Sequence, residues 1–179
     1  MRRTILKWLH WLTLGFLLYF LFVEPDEAPR GADAAAKTDA LATHAGVGLL
    51  LALLVAIWTL TYWRQGAAGR PGPKLKGVAR TAHGLGHRAL YWALPVMMIT
   101  GALAGLAAPY PVEGFGVIPM NFGIGGDTIH GVAEEIHEIA FDVLTILAVG
   151  HIGFHLWRHY LLKDNALRIM APRILHRWL

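Results

Sequence analysis

Four long stretches of the chain are almost wholly apolar, and polar or charged residues gather between them. Residues 5–23 read ILKWLHWLTLGFLLYFLFV and residues 41–63 read LATHAGVGLLLALLVAIWTLTYW. Residues 84–108 read GLGHRALYWALPVMMITGALAGLAA, and residues 137–162 read HEIAFDVLTILAVGHIGFHLWRHYLL. A bilayer core takes roughly 20 apolar residues per helix, so each stretch predicts a membrane-spanning helix. The expected fold class is all-α: an integral-membrane four-helix bundle, one domain over residues 1–179.

Composition agrees with the pattern. The chain is 55% hydrophobic and 16% charged, where soluble domains carry about 25% charge. Its net charge of +4 is unevenly spread. Arg2 and Arg3 precede the first stretch, Arg64, Arg70, Lys74, Lys76 and Arg80 separate the second from the third, and Lys163, Arg168, Arg173 and Arg177 follow the fourth. The other two connections are acidic. The first holds Glu24, Asp26, Glu27, Asp33 and Asp39 against Arg30 and Lys37, and the third holds Glu113, Asp127, Glu134 and Glu135 with no Lys or Arg. Basic flanks stay cytoplasmic, so both termini are expected there. The basic belt suits anionic lipid headgroups and gives no reason to expect nucleic acid. Arg2-Arg3, an apolar run and GADAAA also resemble a cleavable secretory signal. The run is long and carries Lys7 and His10, so an uncleaved first helix is the simpler reading.

The chain has no cysteine. Covalent c-type haem attachment, thiolate metal sites and disulfides are therefore excluded. It does have ten histidines, at 10, 44, 83, 87, 130, 137, 151, 155, 159 and 176. Imidazoles inside a bilayer are costly and usually functional. His130, placed in an outer loop, and His176, in the basic tail, are expected to be solvated. His159, beside Trp157, Arg158 and Tyr160, is expected to anchor at the interface.

His137 and His151 are fourteen positions apart. On a helix that is about 1400° of rotation, nearly four whole turns, and a rise of about 21 Å. The two therefore share one helix face at two depths. Zinc would want ligands as close as i and i+4, whereas this spacing suits two cofactors stacked across the membrane. Matching the depths of antiparallel helices pairs His44 with His137 outside and His10 with His151 inside. Bis-imidazole ligation from facing helices is how a bundle holds haem. Gly46 and Gly48 follow His44, and Gly150 and Gly153 flank His151. Glycines let a flat macrocycle approach, and they also serve plain helix packing. The alternative for these four histidines is ordinary burial with polar neighbours. His155 and His83 are the fallback ligands for the inner site. His83 and His87 stand at i and i+4, which reads as a metal pair, a propionate contact or a quinone hydrogen bond.

Taken in order, LHWL (9–12), HAGVG (44–48), AHGLGHRALYWALPVMMITG (82–101), HEIAFDVLTILAVGH (137–151) and HYLLKDNALRIMAPR (159–173) resemble the bacterial cytochrome b561 family, which includes superoxide oxidase. The likeness covers nearly the whole chain. It implies a multi-pass protein of the bacterial inner membrane with two non-covalent haems b, whose axial ligands fall on His10, His44, His137 and His151. It also implies electron transfer from a periplasmic donor to membrane quinone, ubiquinone in superoxide oxidase, where superoxide is the donor. His87 is the candidate proton donor on the quinone side. One departure bears on the donor. Superoxide is steered by positive potential, yet the outer connections carry nine acidic residues against Arg30 and Lys37. That balance suits a cationic redox protein, unless Arg30 or Lys37 folds over the outer haem.

Residues 109–136 form a long third connection, expected either to cover the outer haem or simply to pack. Pro95 is expected to kink its helix. KDNALRIM should break the fourth helix and restart a short one, capped by Asp164 or Asn165. Two other functions compete. One is a cytochrome b anchor subunit relaying electrons for a larger dehydrogenase, which a co-purifying partner would reveal. The other is a haem-free metal transporter, which would want carboxylates near the midplane. Glu138 and Asp142 lie instead near the outer end of their helix.

Overall fold

The computed structural model of the chain describes residues 2–23, 34–66, 72–171 and 173–178. Four long helices dominate it: α1 (Arg2–Phe22), α2 (Ala34–Gln65), α3 (Gly77–Ala107) and α4 (Asp127–Tyr160). All four are long and apolar enough to cross a membrane. A two-residue antiparallel ladder, β1 (Glu113–Gly114) with β2 (Ile118–Pro119), interrupts the α3–α4 connection. A short α5 (Ala166–Met170) and a 3₁₀ turn (Arg173–Arg177) follow α4.

Three helices begin well before their apolar windows, α3 among them at Gly77 rather than residue 84. The start of α2, AAAKTDA, is rich in the best helix former and extends the helix seven residues outward from the expected position 41. Lys37 and Asp39 therefore stand on a helix rather than in a loop. Gly126 starts α4 and Asp127 occupies its first turn, where a carboxylate meets the positive end of the helix dipole. His130, Glu134 and Glu135 are thus helical, and the third connection shrinks to residues 108–126. Hydropathy marks only the part of a helix that suits lipid, so polar extensions escape it. Glu24, Asp26, Glu27, Arg30, Asp33 and Arg70 lie outside the described residues.

The bundle is apolar on its outside as well as its inside. Leu53, Ile57, Leu60, Ile99, Leu103, Ile146 and Val149 are all exposed, as lipid-facing side chains should be. At mid-height the helices meet through Phe20, Leu51, Val55, Met97 and Leu144. The most extensive packing is between α3 and α4, and α3 continues through Pro95 without a break in the helix.

One end of the bundle is tied by side chains that reach across elements. Lys7 Nζ donates to the Ala171 carbonyl at 2.8 Å, and Trp11 Nε1 donates to that of Met170 at 3.0 Å. Lys74 Nζ donates to the carbonyls of Leu162 and Lys163. The start of α1, the α2–α3 connection and the tail after α4 therefore share one end, the basic one.

Near that end the structure departs from expectation at His159, and its neighbour Arg158 explains the local packing. Arg158 is fully buried, and its guanidinium pairs with Asp164 at 2.7 Å, Nε donating to Oδ2 at 2.8 Å. His159 is also buried, its ring edge-on to Tyr160. Neither lies out at the surface as an interfacial anchor would. The chain breaks after Tyr160 and folds back, bringing Asp164 against Arg158 and burying both. Asp164 is thereby committed to the arginine. Asn165 stands at the start of α5 with φ 59° and no side-chain capping bond.

Removing one partner of a buried ion pair leaves an uncompensated charge, which costs about 3 kcal/mol or more. Asp164→Ala is expected to destabilise the protein by about that amount, read as a lower midpoint of unfolding in detergent titrated with SDS. An unchanged midpoint would show that Arg158 finds water instead.

Candidate functional site

The four helices bring the histidines together in the depth-matched pairs. At the basic end, the ring centroids of His10 on α1 and His151 on α4 lie 6.3 Å apart. At the other end, those of His44 on α2 and His137 on α4 lie 6.4 Å apart. An atom bound to two imidazoles through metal–nitrogen bonds of about 2 Å holds ring centres about 6 Å apart. Both pairs meet that spacing, and all four residues are half-buried. The apolar layer of Leu51, Val55, Met97 and Leu144 lies between them.

Hydrogen bonding fixes which nitrogen of His137 is available. The Thr100 hydroxyl donates its single hydrogen to the Met97 carbonyl at 2.9 Å, so it can only accept from His137 Nδ1, 3.2 Å away. Nδ1 then carries the proton and Nε2 keeps a lone pair, the tautomer a metal needs. Beside it, a Cβ on Gly101 would stand 2.7 Å from His137 Cε1. Thr100 and Gly101 belong to the MMITG segment of α3, and nothing in the sequence alone connected them to a histidine on α4. At His10, Nδ1 is buried and lacks a hydrogen-bond partner among the described residues.

The glycines noted in the sequence have different reasons. A Cβ on Gly46 would strike the Phe115 ring at 2.5 Å. The hairpin turn at Phe115, φ 55°, therefore seats on α2 there, with Phe115 N–H donating to the Ala42 carbonyl at 2.8 Å. Gly46 serves loop packing two residues from His44. Gly150 and Gly153 are exposed, and no heavy atom lies within 4 Å of where their Cβ would be.

His130 is not solvated as expected. Nδ1 faces the Ala104 carbonyl at 3.1 Å and Nε2 the Tyr110 hydroxyl at 2.9 Å. A carbonyl only accepts, so Nδ1 donates and Nε2 accepts from Tyr110. The residue ties the start of α4 to the end of α3. Asn121 does the same for the connection: it is buried, accepts from the backbone N–H of Val112 and Gly123, and donates to the carbonyls of Gly105 and Ala108. The connection is a packed, hydrogen-bonded cap against α2 and α3. His176 is half-buried and contacts the Ala171 carbonyl.

At the basic end three further imidazoles crowd the His10–His151 pair. His87 lies 4.9 Å from His151 and His155 lies 4.5 Å from it, centroid to centroid. His83 completes the group, 4.2 Å from His87. His87 Nδ1 donates to the His83 carbonyl at 2.8 Å, which leaves its Nε2 with a lone pair.

Gly101→Ala is expected to push the His137 ring off its seat at Thr100 and lower the haem bound per chain. Gly105→Ala, one turn on with no atom within 4 Å of the new Cβ, should leave it unchanged. Pyridine haemochrome content against protein concentration checks both.

Comparison with known proteins places this geometry. The family model for prokaryotic cytochrome b561 matches residues 2–173, and among curated proteins none matches the chain. That match spans all four transmembrane helices and the tail that locks them, so the chain belongs to the prokaryotic cytochrome b561 family and is a multi-pass membrane b-type cytochrome of electron transfer.

Proposed function

We propose that the chain holds two non-covalent haems b, one between His44 and His137 and one between His10 and His151, and moves electrons from a donor at the outer face to a membrane quinone. The observation that carries this reading is the pair of centroid separations, 6.3 and 6.4 Å, at the two ends of one bundle. The Nδ1–H of His137, held by Thr100, and the orphaned His10 Nδ1 support it at each end. When bound, haem supplies a one-electron carrier at each depth.

The chain's own residues do the rest. Leu51, Val55, Met97 and Leu144 exclude water between the two sites. Phe20 packs edge-on against His44, 4.9 Å between ring centres, and limits its rotation. The packed connection with Phe115 on Gly46 shields the His44 end from bulk water.

The basic end, with Lys7, Lys74 and Lys163, is assigned to the cytoplasm of a bacterial inner membrane by the positive-inside rule. At the opposite end Asp39, Glu113, Asp127, Glu134 and Glu135 are exposed, with Lys37 as the basic residue among the described ones there. Lys37 lies seven residues before His44, about 10 Å along the helix. A surface of that sign steers a cationic redox protein better than superoxide.

Quinone reduction takes up two protons with two electrons. His87 is assigned to relay one of them: its Nδ1–H is engaged by the His83 carbonyl, so the Nε2 lone pair takes up a proton from the aqueous end of the bundle and passes it to the quinone.

Reduced-minus-oxidised spectra should show two b-type centres, both removed by acid–acetone. His44→Ala should lose one and His10→Ala the other; loss of both from each folded variant would break the pairing. In right-side-out vesicles an impermeant reductant should reduce the protein. His87→Ala should keep both centres reducible but slow quinone reduction about 100-fold or more, the usual scale for a lost general acid. Wild-type turnover in that variant would remove His87 from the scheme.

A further inference from the structure

The group formed by His83, His87 and His155 is more than the surroundings of the inner pair. One ring nitrogen from each lies within 4.8 Å of those of the other two. The ring centroids are separated by 4.2 Å (His83–His87), 5.7 Å (His83–His155) and 5.5 Å (His87–His155). Three imidazoles on one tetrahedral metal, with bonds of about 2 Å, place their ring centres about 5 Å apart. Observed separations bracket that value, so small side-chain rotations would complete the set.

The available nitrogens also fit. His87 donates from Nδ1 to the His83 carbonyl, so its Nε2 lone pair is free for a metal, and this hydrogen bond is the kind of outer-shell contact that orients a ligating histidine. His155 Nε2 is buried and has no hydrogen-bond partner among the described residues. His83 itself is buried. The nearby cation, Arg158, acts electrostatically on all three histidines. Its charge is offset at close range by Asp164, 2.7 Å away. His83 is six residues into α3 and His155 five from the end of α4, which places the group close to the aqueous end of the bundle.

We infer that His83, His87 and His155 form a binding site for a borderline divalent transition metal, Zn²⁺ by preference, beside but separate from the His10–His151 pair. Three neutral imidazoles, no carboxylate and no thiolate select zinc, copper or nickel over magnesium or calcium. A three-histidine set keeps a fourth position open to water or another ligand. Because the metal takes the His87 Nε2 lone pair, zinc also withdraws the nitrogen assigned above to proton delivery. This consequence, unlike the site, rests on the quinone reading. Zinc would then act as a brake on the inner end while leaving the outer end reducible.

The test uses the full haem-loaded chain without a histidine tag, stripped with chelator and dialysed against Zn²⁺, with metal, haem and protein each quantified. One zinc per chain is expected, and affinity should fall at least about tenfold in His83→Ala and in His155→Ala while their haem content stays at the wild-type level. Zinc should slow quinone reduction in the wild type and have no such effect in His155→Ala. Equal zinc binding by the wild type and both variants would overturn the site. Loss of a haem from His155→Ala or His83→Ala would overturn it too, by making that residue an axial ligand. Zinc bound as expected but without effect on quinone reduction would leave the site standing and count against His87 as the proton donor.

Discussion

An imidazole inside a bilayer has no water to turn to, and the rest of this structure depends on how that constraint is met. Polar groups in hydrocarbon must find partners in the protein or draw one in. His137 is satisfied on one nitrogen by Thr100, whose own hydrogen goes to the Met97 carbonyl, and its ring stands 6.4 Å from that of His44. His10 and His151 face each other in the same manner at the opposite end. Two opposed rings, a metal's width apart, are a poor arrangement for histidines alone and a good one for histidines that share a ligand.

The backbone serves this arrangement through small residues and short reaches. Gly101 leaves room for the His137 ring, and Gly46 leaves room for Phe115, which holds the connection down beside His44. Between the two ends the bundle is apolar and closely packed, and its outward surface is equally apolar. Polarity is therefore concentrated in two layers, which is where a membrane electron carrier needs it. The family's electron-transfer role and the bundle's layering make the same demand: polar sites at two depths, with dry protein between.

The basic end carries a second density of charge and imidazole. Arg158 and Asp164 are buried together, held by a chain reversal after Tyr160 that Lys7 and Trp11 of α1 and Lys74 of the α2–α3 connection pin. The pair neutralises itself at the cost of desolvation, and it frames the cluster of His83, His87 and His155. That end of the protein holds three further imidazoles beside the His10–His151 pair.

The four helices, the placing of both termini at one end and the two histidine pairs were legible in the sequence. Apolar length and the 3.6-residue period are local properties that hydrocarbon enforces strictly. The fourteen-position spacing of His137 and His151 fixes a shared face by geometry, and antiparallel neighbours fix depth. The sequence was silent where an outcome depended on which distant atoms meet. Thr100 and Gly101 look like packing residues until α4 lays His137 across them. His130 looked solvated because hydropathy could not follow α4 past its lipid-facing part, and only the folded connection brings Tyr110 and the Ala104 carbonyl to its ring. His159 looks like an interfacial anchor by position, yet it is buried, as is its neighbour Arg158 with Asp164. His155 looked like a spare ligand on the face of His151, and only the packing of α3 against α4 places it with His83 and His87. Periodicity decides which face a residue occupies. Tertiary packing decides what that face touches, because the partner comes from a helix whose register no local rule sets.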